Sequence, residues 1–280
     1  MGGALYGALM THKNLPLSTQ KLIPYTAMVS AFLAACIFAL FAGNASQSLA
    51  QMLVQLGGPN FLREPINAGL AVLFLLIWRK WRPDLKFSSP KWGQIAFGLG
   101  LGLCLGVVLP GLALGLLSWS GQVVIKAPSV PIIALVVPFI FLILHGFAEE
   151  GLVRGIAQRE GHYRFGSLAG VAIAALCFCT LQALQGYLGG WQILNGALFG
   201  GCLGFLALGA GGIWAAIGAH AGWSWLEIAV LGGPRQIVKA DTWMAGSGAD
   251  SYGSPVFTLV LIIALGMQLA LHLRAQKRTA

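Results

Sequence analysis

Residues 129–158 read SVPIIALVVPFIFLILHGFAEEGLVRGIAQ, and this stretch decides the fold. From Val130 to Leu144 it is unbroken hydrocarbon apart from Pro131 and Pro138. As a helix rising 1.5 Å per residue, the whole stretch is long enough to cross a bilayer core of roughly 30 Å. Its second half nevertheless sets His145, Glu149, Glu150 and Arg154 where lipid is expected. An ionisable side chain at membrane depth costs at least ~2.5 kcal/mol, so each needs a partner or a purpose. If the helix runs to about Gln158 before meeting water, Glu149 lies ~15 Å below that end, close to the midplane.

Helical spacing separates the two glutamates. Glu150 and Arg154 are four apart, so they share a face and can neutralise one another. Glu149 is turned about 100° away and instead shares a face with His145, one turn earlier. A desolvated carboxylate of this kind is a plausible general base.

The rest of the chain is equally apolar. Of its 280 residues 57% are hydrophobic and 9% charged, against roughly 25% charged in a soluble domain. The apolar blocks predict a polytopic all-α membrane bundle of about eight helices. They lie near 24–43, 61–79, 92–119, 129–158, 167–188, 194–209, 213–231 and 256–274. Continuous runs without alternation exclude a β-barrel. Residues 1–280 read as one membrane domain, and 44–60 and 232–255 as outer loops without chemistry.

Basic residues set the orientation. Thirteen fall on one side: Lys13, Lys21, Arg79, Lys80, Arg82, Lys86, Lys91, Arg154, Arg159, Arg164, Arg274, Lys277 and Arg278. Four fall on the other: Arg63, Lys126, Arg235 and Lys239. The positive-inside bias puts both termini in the cytoplasm. The net charge of +9 therefore reports topology; no nucleic-acid-binding signature accompanies it, and nucleic acid is not expected as a partner. Without a recognisable targeting peptide, a bacterial inner membrane is the expected location.

Gly196, Gly200 and Gly204, like Gly218 and Gly222, recur every four residues and let helices approach closely. Trp78, Trp81, Trp92, Trp119 and Trp191 sit near helix ends as interface anchors. Cys36, Cys104, Cys177, Cys179 and Cys202 read as small buried hydrophobes. Cys177 and Cys179 are two apart and point to different sides of a helix, which argues against a shared metal.

Two more polar interruptions stand in apolar helices: Phe178-Cys-Thr-Leu-Gln182 and His220-Ala-Gly-Trp-Ser224. His220 and Ser224 are one turn apart and can point to the same place. Taken together, the three segments resemble the CAAX-protease and bacteriocin-processing family of intramembrane proteases. Its first motif, Glu-Glu-x-x-x-Arg, is matched by Glu149, Glu150 and Arg154. Its second, Phe-x-x-x-His, is matched at Phe178 but has Gln182 at the histidine. Its third, His-x-x-x-Asn, is matched at His220 and has Ser224 at the asparagine. The likeness covers about 129–231.

The resemblance implies an intramembrane endopeptidase acting on peptides near the membrane, such as prenylated tails or bacteriocin leaders. Glu149 would activate water, His220 would donate to the oxyanion, and Ser224 would be a weaker second donor. Glutamine does not titrate near neutral pH, so Gln182 can orient a water but cannot take its proton. Glu149 would then act alone or with His145. No cofactor is required by a glutamate mechanism; a zinc site would need Glu149, His220 and His145 together. The alternative is a degenerate relative that keeps the fold and binds a partner helix, lipid or hydrophobic ligand as a scaffold. A small-solute transporter is a third reading, because intramembrane polar groups also mark transport paths.

Overall fold

The computed structural model describes residues 17–56, 62–81, 91–125, 133–184, 186, 189–230, 237–239, 244 and 253–279. Among the described residues nine α-helices follow one another: α1 Leu17–Gln55, α2 Arg63–Trp81, α3 Trp92–Trp119, α4 Ile133–Leu152, α5 Arg159–Phe165, α6 Ser167–Leu184, α7 Gly190–Leu208, α8 Ile213–Ser224 and α9 Pro255–Thr279. Val153–Gln158 joins α4 to α5 as a π-helical turn, and Trp225–Val230 extends α8 in the same way. Strands β1, Val123–Ile125, and β2, Ile237–Lys239, form one short antiparallel pair beside the bundle. The chain is a polytopic helical membrane protein.

Among the described residues six helical segments are long and apolar enough to span a bilayer, including Val136–Phe165, which runs through α4 and α5. Helices α2 and α8 are not among them. The first carries Arg63, Glu64, Arg79 and Lys80 at its ends, and the second has only 12 residues before its π-helical turn. Helix α8 is instead the buried centre: every residue from Ala215 to Trp223 is buried. It is packed by α3, α4 and α7. Large apolar residues on the outer helices, such as Ile37, Leu176 and Met267, face outward with more than half their surface exposed. Such an apolar exterior suits lipid as the surrounding solvent.

Small residues make the central contact possible. A Cβ added at Gly102 would overlap the Ala215 carbonyl oxygen, and one at Gly106 the Ala219 carbonyl oxygen. Gly218 and Gly222 meet Leu99 and Leu103 of α3 in the same close fashion. Gly200 and Gly204 seat α7 on α6 at Ala175, Phe178 and Val171. With no hydrophobic drive between helices in lipid, such backbone proximity is a main source of packing energy. A buried polar clasp holds α9: Asn195 donates to the Ser254 carbonyl at 3.1 Å, and Thr258 donates to Asn195 Oδ1 at 2.6 Å.

Several sequence expectations need correction. Residues 44–55, expected in a loop, continue α1 to Gln55, and this extra length reaches the functional site. The helix expected to meet water near Gln158 continues through the π-helical turn to Phe165. Trp78 is not an interface anchor: it is 6% exposed and packs on Phe38 at 5.3 Å between ring centroids. Cys104 is exposed on α3, while Cys36 and Cys179 are only half-buried. Lys13, Arg82, Lys86, Lys126, Arg235 and most of 232–255 lie outside the described residues.

Candidate functional site

The buried polar residues converge from five helices. Helix α4 supplies His145, Glu149 and Glu150, and its π-helical turn supplies Arg154. Helix α6 supplies Phe178 and Gln182, and α8 supplies His220. The fourth and fifth contributors are Gln47 of α1 and Glu64 of α2. Glu149, Glu150, Arg154 and His220 are all at most 5% exposed. Gly146, beside His145, leaves the space through which Ile217 and His220 of α8 pass close to α4.

Glu150 and Arg154 form the expected pair one turn apart, with Nε 2.9 Å from Oε2. Arg154 also donates through Nη2 to the Gly200 carbonyl at 2.9 Å, tying α4 to α7. The Phe178 ring lies under this guanidinium, 5.0 Å from its carbon, and meets the His220 ring edge-on at 5.7 Å. The aromatic residue of the second segment thus holds the other two segments in place.

Glu149 is the focus. Its Oε1 accepts from Gln47 Nε2, and its Oε2 accepts from Gln182 Nε2 at 3.4 Å. Two imidazoles face the same carboxylate: His145 Nε2 is 3.5 Å from Oε1, and His220 Nε2 is 3.8 Å from Oε2. The rings themselves meet edge-to-face at 5.5 Å.

Each imidazole has a carboxylate behind it. His145 Nδ1 sits 3.0 Å from Glu64 Oε2, and His220 Nδ1 sits 2.9 Å from Glu150 Oε1. Both rings thus turn Nδ1 to a carboxylate and Nε2 to Glu149. Arg63 supports Glu64 at 3.0 Å, as Arg154 supports Glu150. The result is two parallel chains of guanidinium, carboxylate and imidazole that end on one carboxylate.

His145, Glu149 and His220 each offer one ligand atom, and these atoms all lie within 4.8 Å of one another. Two histidines and a glutamate, each histidine backed by a carboxylate, suit a divalent cation such as zinc. Bound there, a cation would supply Lewis-acid polarisation and a more acidic water.

Among the sequence-derived candidates, Glu149, Glu150, Arg154, Gln182, His220 and His145 come together. Ser224 does not join them. It is half-buried one turn beyond His220 and makes no hydrogen bond to Glu149, Gln182 or His220 among the described residues. Sequence reasoning missed Gln47 and Glu64. Glu64, with Asn67 one turn on, is a polar pair opening an otherwise apolar block, and that was its one available signal.

No curated protein matches the chain. Residues 131–226, the stretch that carries every motif residue joined in this site, match the family described as type II CAAX prenyl endopeptidase Rce1-like.

Proposed function

We propose that the protein is an intramembrane endopeptidase in which Glu149 activates a water to hydrolyse a peptide bond at membrane depth. The observation that carries this reading is the convergence of His145 Nε2 and His220 Nε2 on the buried Glu149 carboxylate. A water held between Glu149 and His145 gives one proton to the Glu149 carboxylate as its oxygen attacks the scissile carbonyl, and His145 Nε2 relays that proton toward the leaving amine. His145 resembles the imidazole of a hydrolase triad: its Nδ1–H is fixed on Glu64, so its Nε2 lone pair is the basic edge. It thereby occupies the acid–base role that Gln182 cannot fill. His220, anchored through Nδ1 on Glu150, turns Nε2 toward the reacting centre and serves as the donor to the oxyanion. Gln182 steadies the same carboxylate. The proton taken from water then goes to the leaving amine, which completes the balance.

The substrate class follows from the family name: a peptide whose prenylated tail is carried by the membrane. A bacterial inner membrane with cytoplasmic termini would present the site to such tails. A second reading, a non-catalytic scaffold for a partner helix, lipid or hydrophobic ligand, is favoured by the two glutamine amides already seated on Glu149.

Purified protein in lipid nanodiscs, given a fluorogenic prenylated peptide, separates the two. Hydrolysis requires that Glu149→Gln lose all turnover. His145→Gln should fall by about 10²–10⁴-fold, the usual worth of a positioned acid–base group. Adding Gln182→His to His145→Gln should restore part of that loss, because it returns an imidazole to the same carboxylate. No turnover by the parent or by Gln182→His would leave the scaffold.

A further inference from the structure

A cavity of about 750 Å³ has Arg154 in its wall but none of Glu149, Glu150, Gln182 or His220. It is lined by Arg79 at the end of α2, Gln94 in the first turn of α3, Arg154 and Gln158 in the π-helical turn, and Arg159 and His162 in α5. Its floor is the Gly209–Gly212 loop and the first residues of α8. Among the described residues, three arginines line it and no carboxylate does.

Two buried side chains there have unused polar atoms. Arg154, 4% exposed, leaves Nη1 without a hydrogen-bond partner while its other nitrogens serve Glu150 and Gly200. Gln158, also 4% exposed, donates Nε2 to the Gly204 carbonyl at 2.8 Å and leaves Oε1 without a partner. Both atoms are sealed within the protein, Gln158 Oε1 lying against Gly204 of α7, so these side chains fix the inner wall and Arg154 adds its charge to it. Helix α8 also begins here without a side-chain cap, behind Gly212 at φ 56°. The first amides of a helix and its positive dipole end attract an anion.

We propose that this cavity binds the phosphate of an anionic phospholipid headgroup. Guanidinium groups grip phosphate oxygens in pairs, and Arg79 and Arg159 bring two of them to the cavity wall. The volume fits a headgroup; small-molecule sites run about 300–1,000 Å³. Trp81 and Trp92, 64% and 84% exposed at the same ends of α2 and α3, place the cavity at headgroup depth. Basic pockets between helix ends are where acidic headgroups are held.

Native mass spectrometry of the full chain with competing lipids tests the site. Phosphatidylglycerol should be retained over phosphatidylcholine, and Arg79→Gln with Arg159→Gln should weaken that retention by on the order of tenfold. The charge-matched control Arg274→Gln with Lys277→Gln should leave it unchanged. Equal retention of both lipids, or equal weakening by both double variants, overturns the site. A separate arm adds inorganic phosphate to protein in phosphatidylcholine nanodiscs and reads thermal stability. Saturable stabilisation lost in Arg79→Gln/Arg159→Gln, without lipid preference, overturns the lipid as source and assigns the phosphate to solution.

Discussion

His145 and Glu64, 81 residues apart in sequence, meet at 3.0 Å between Nδ1 and Oε2. The contact fixes an imidazole edge beside Glu149, in a chain whose glutamine at position 182 cannot act as a base. Glu64 never touches the scissile bond in the proposed reaction, so its role is positioning. Glu64→Gln keeps a hydrogen bond but removes the charge that favours imidazolium in the transition state. We expect kcat to fall by about 10²-fold or more with KM nearly unchanged. A merely structural contact would instead alter melting temperature and leave kcat of the folded fraction intact.

Glu150 and Arg154 make the complementary prediction. Both are essentially sealed from solvent, and Glu150 also holds His220. Removing one charge strands the other, which costs about 3–5 kcal/mol for a buried pair. Arg154→Met alone should therefore lower the thermal midpoint sharply, and so should Glu150→Gln alone. The double variant should be more stable than the sum of the two losses implies, because neither charge remains unpaired. Strict additivity in a double-mutant cycle would show that the pair is not coupled as the 2.9 Å contact indicates.

How much of this was legible beforehand depended on whether the contact was local in sequence. The Glu150–Arg154 and His145–Glu149 relations lie within one helix, where a spacing of four fixes a shared face. Apolar block length was enough to give the bundle. Gln47 and Glu64 reach Glu149 and His145 only because α1 and α2 fold back on α4, and no periodicity encodes that. Gln47 was hidden further by Gly43-Asn44-Ala45-Ser46, whose small polar composition reads as a loop end. The helix nevertheless continues, with Ser46 Oγ bonded back to the Gly43 carbonyl at 3.0 Å. Ser224 shows the converse: a spacing of four from His220 permits a shared target but does not require one.

The central seam of α3 and α8 should be the most sensitive packing in the protein. At Gly102 and Gly106 an added methyl would run into backbone, which cannot rotate away as a side chain can. Gly102→Ala should cost about 1–3 kcal/mol by overpacking. Gly100, one helix face away, has open space where its Cβ would stand, and Gly100→Ala should be neutral or mildly stabilising. Thermal unfolding in one detergent compares them directly. Equal midpoints for the two variants would mean that α3 and α8 are not so closely apposed. Because α8 carries His220, the Gly102 variant should also lose activity in the fraction that folds.

Zinc provides a test of what Glu149 does. His145, Glu149 and His220 can close on one ion, and the carboxylates behind the two rings orient them as metal ligands need. In the proposed reaction those same atoms must stay available to a water and its protons. Added Zn²⁺ should therefore inhibit, and chelator should leave activity intact. Glu64→Gln should weaken zinc binding by about 10–100-fold, the usual effect of removing a carboxylate behind a histidine ligand. This affinity is measurable by calorimetry in Glu149-intact protein without any turnover. If chelator instead abolishes cleavage and zinc restores it, Glu149 serves as a ligand, and the carboxylate is not the group that takes the proton of the attacking water.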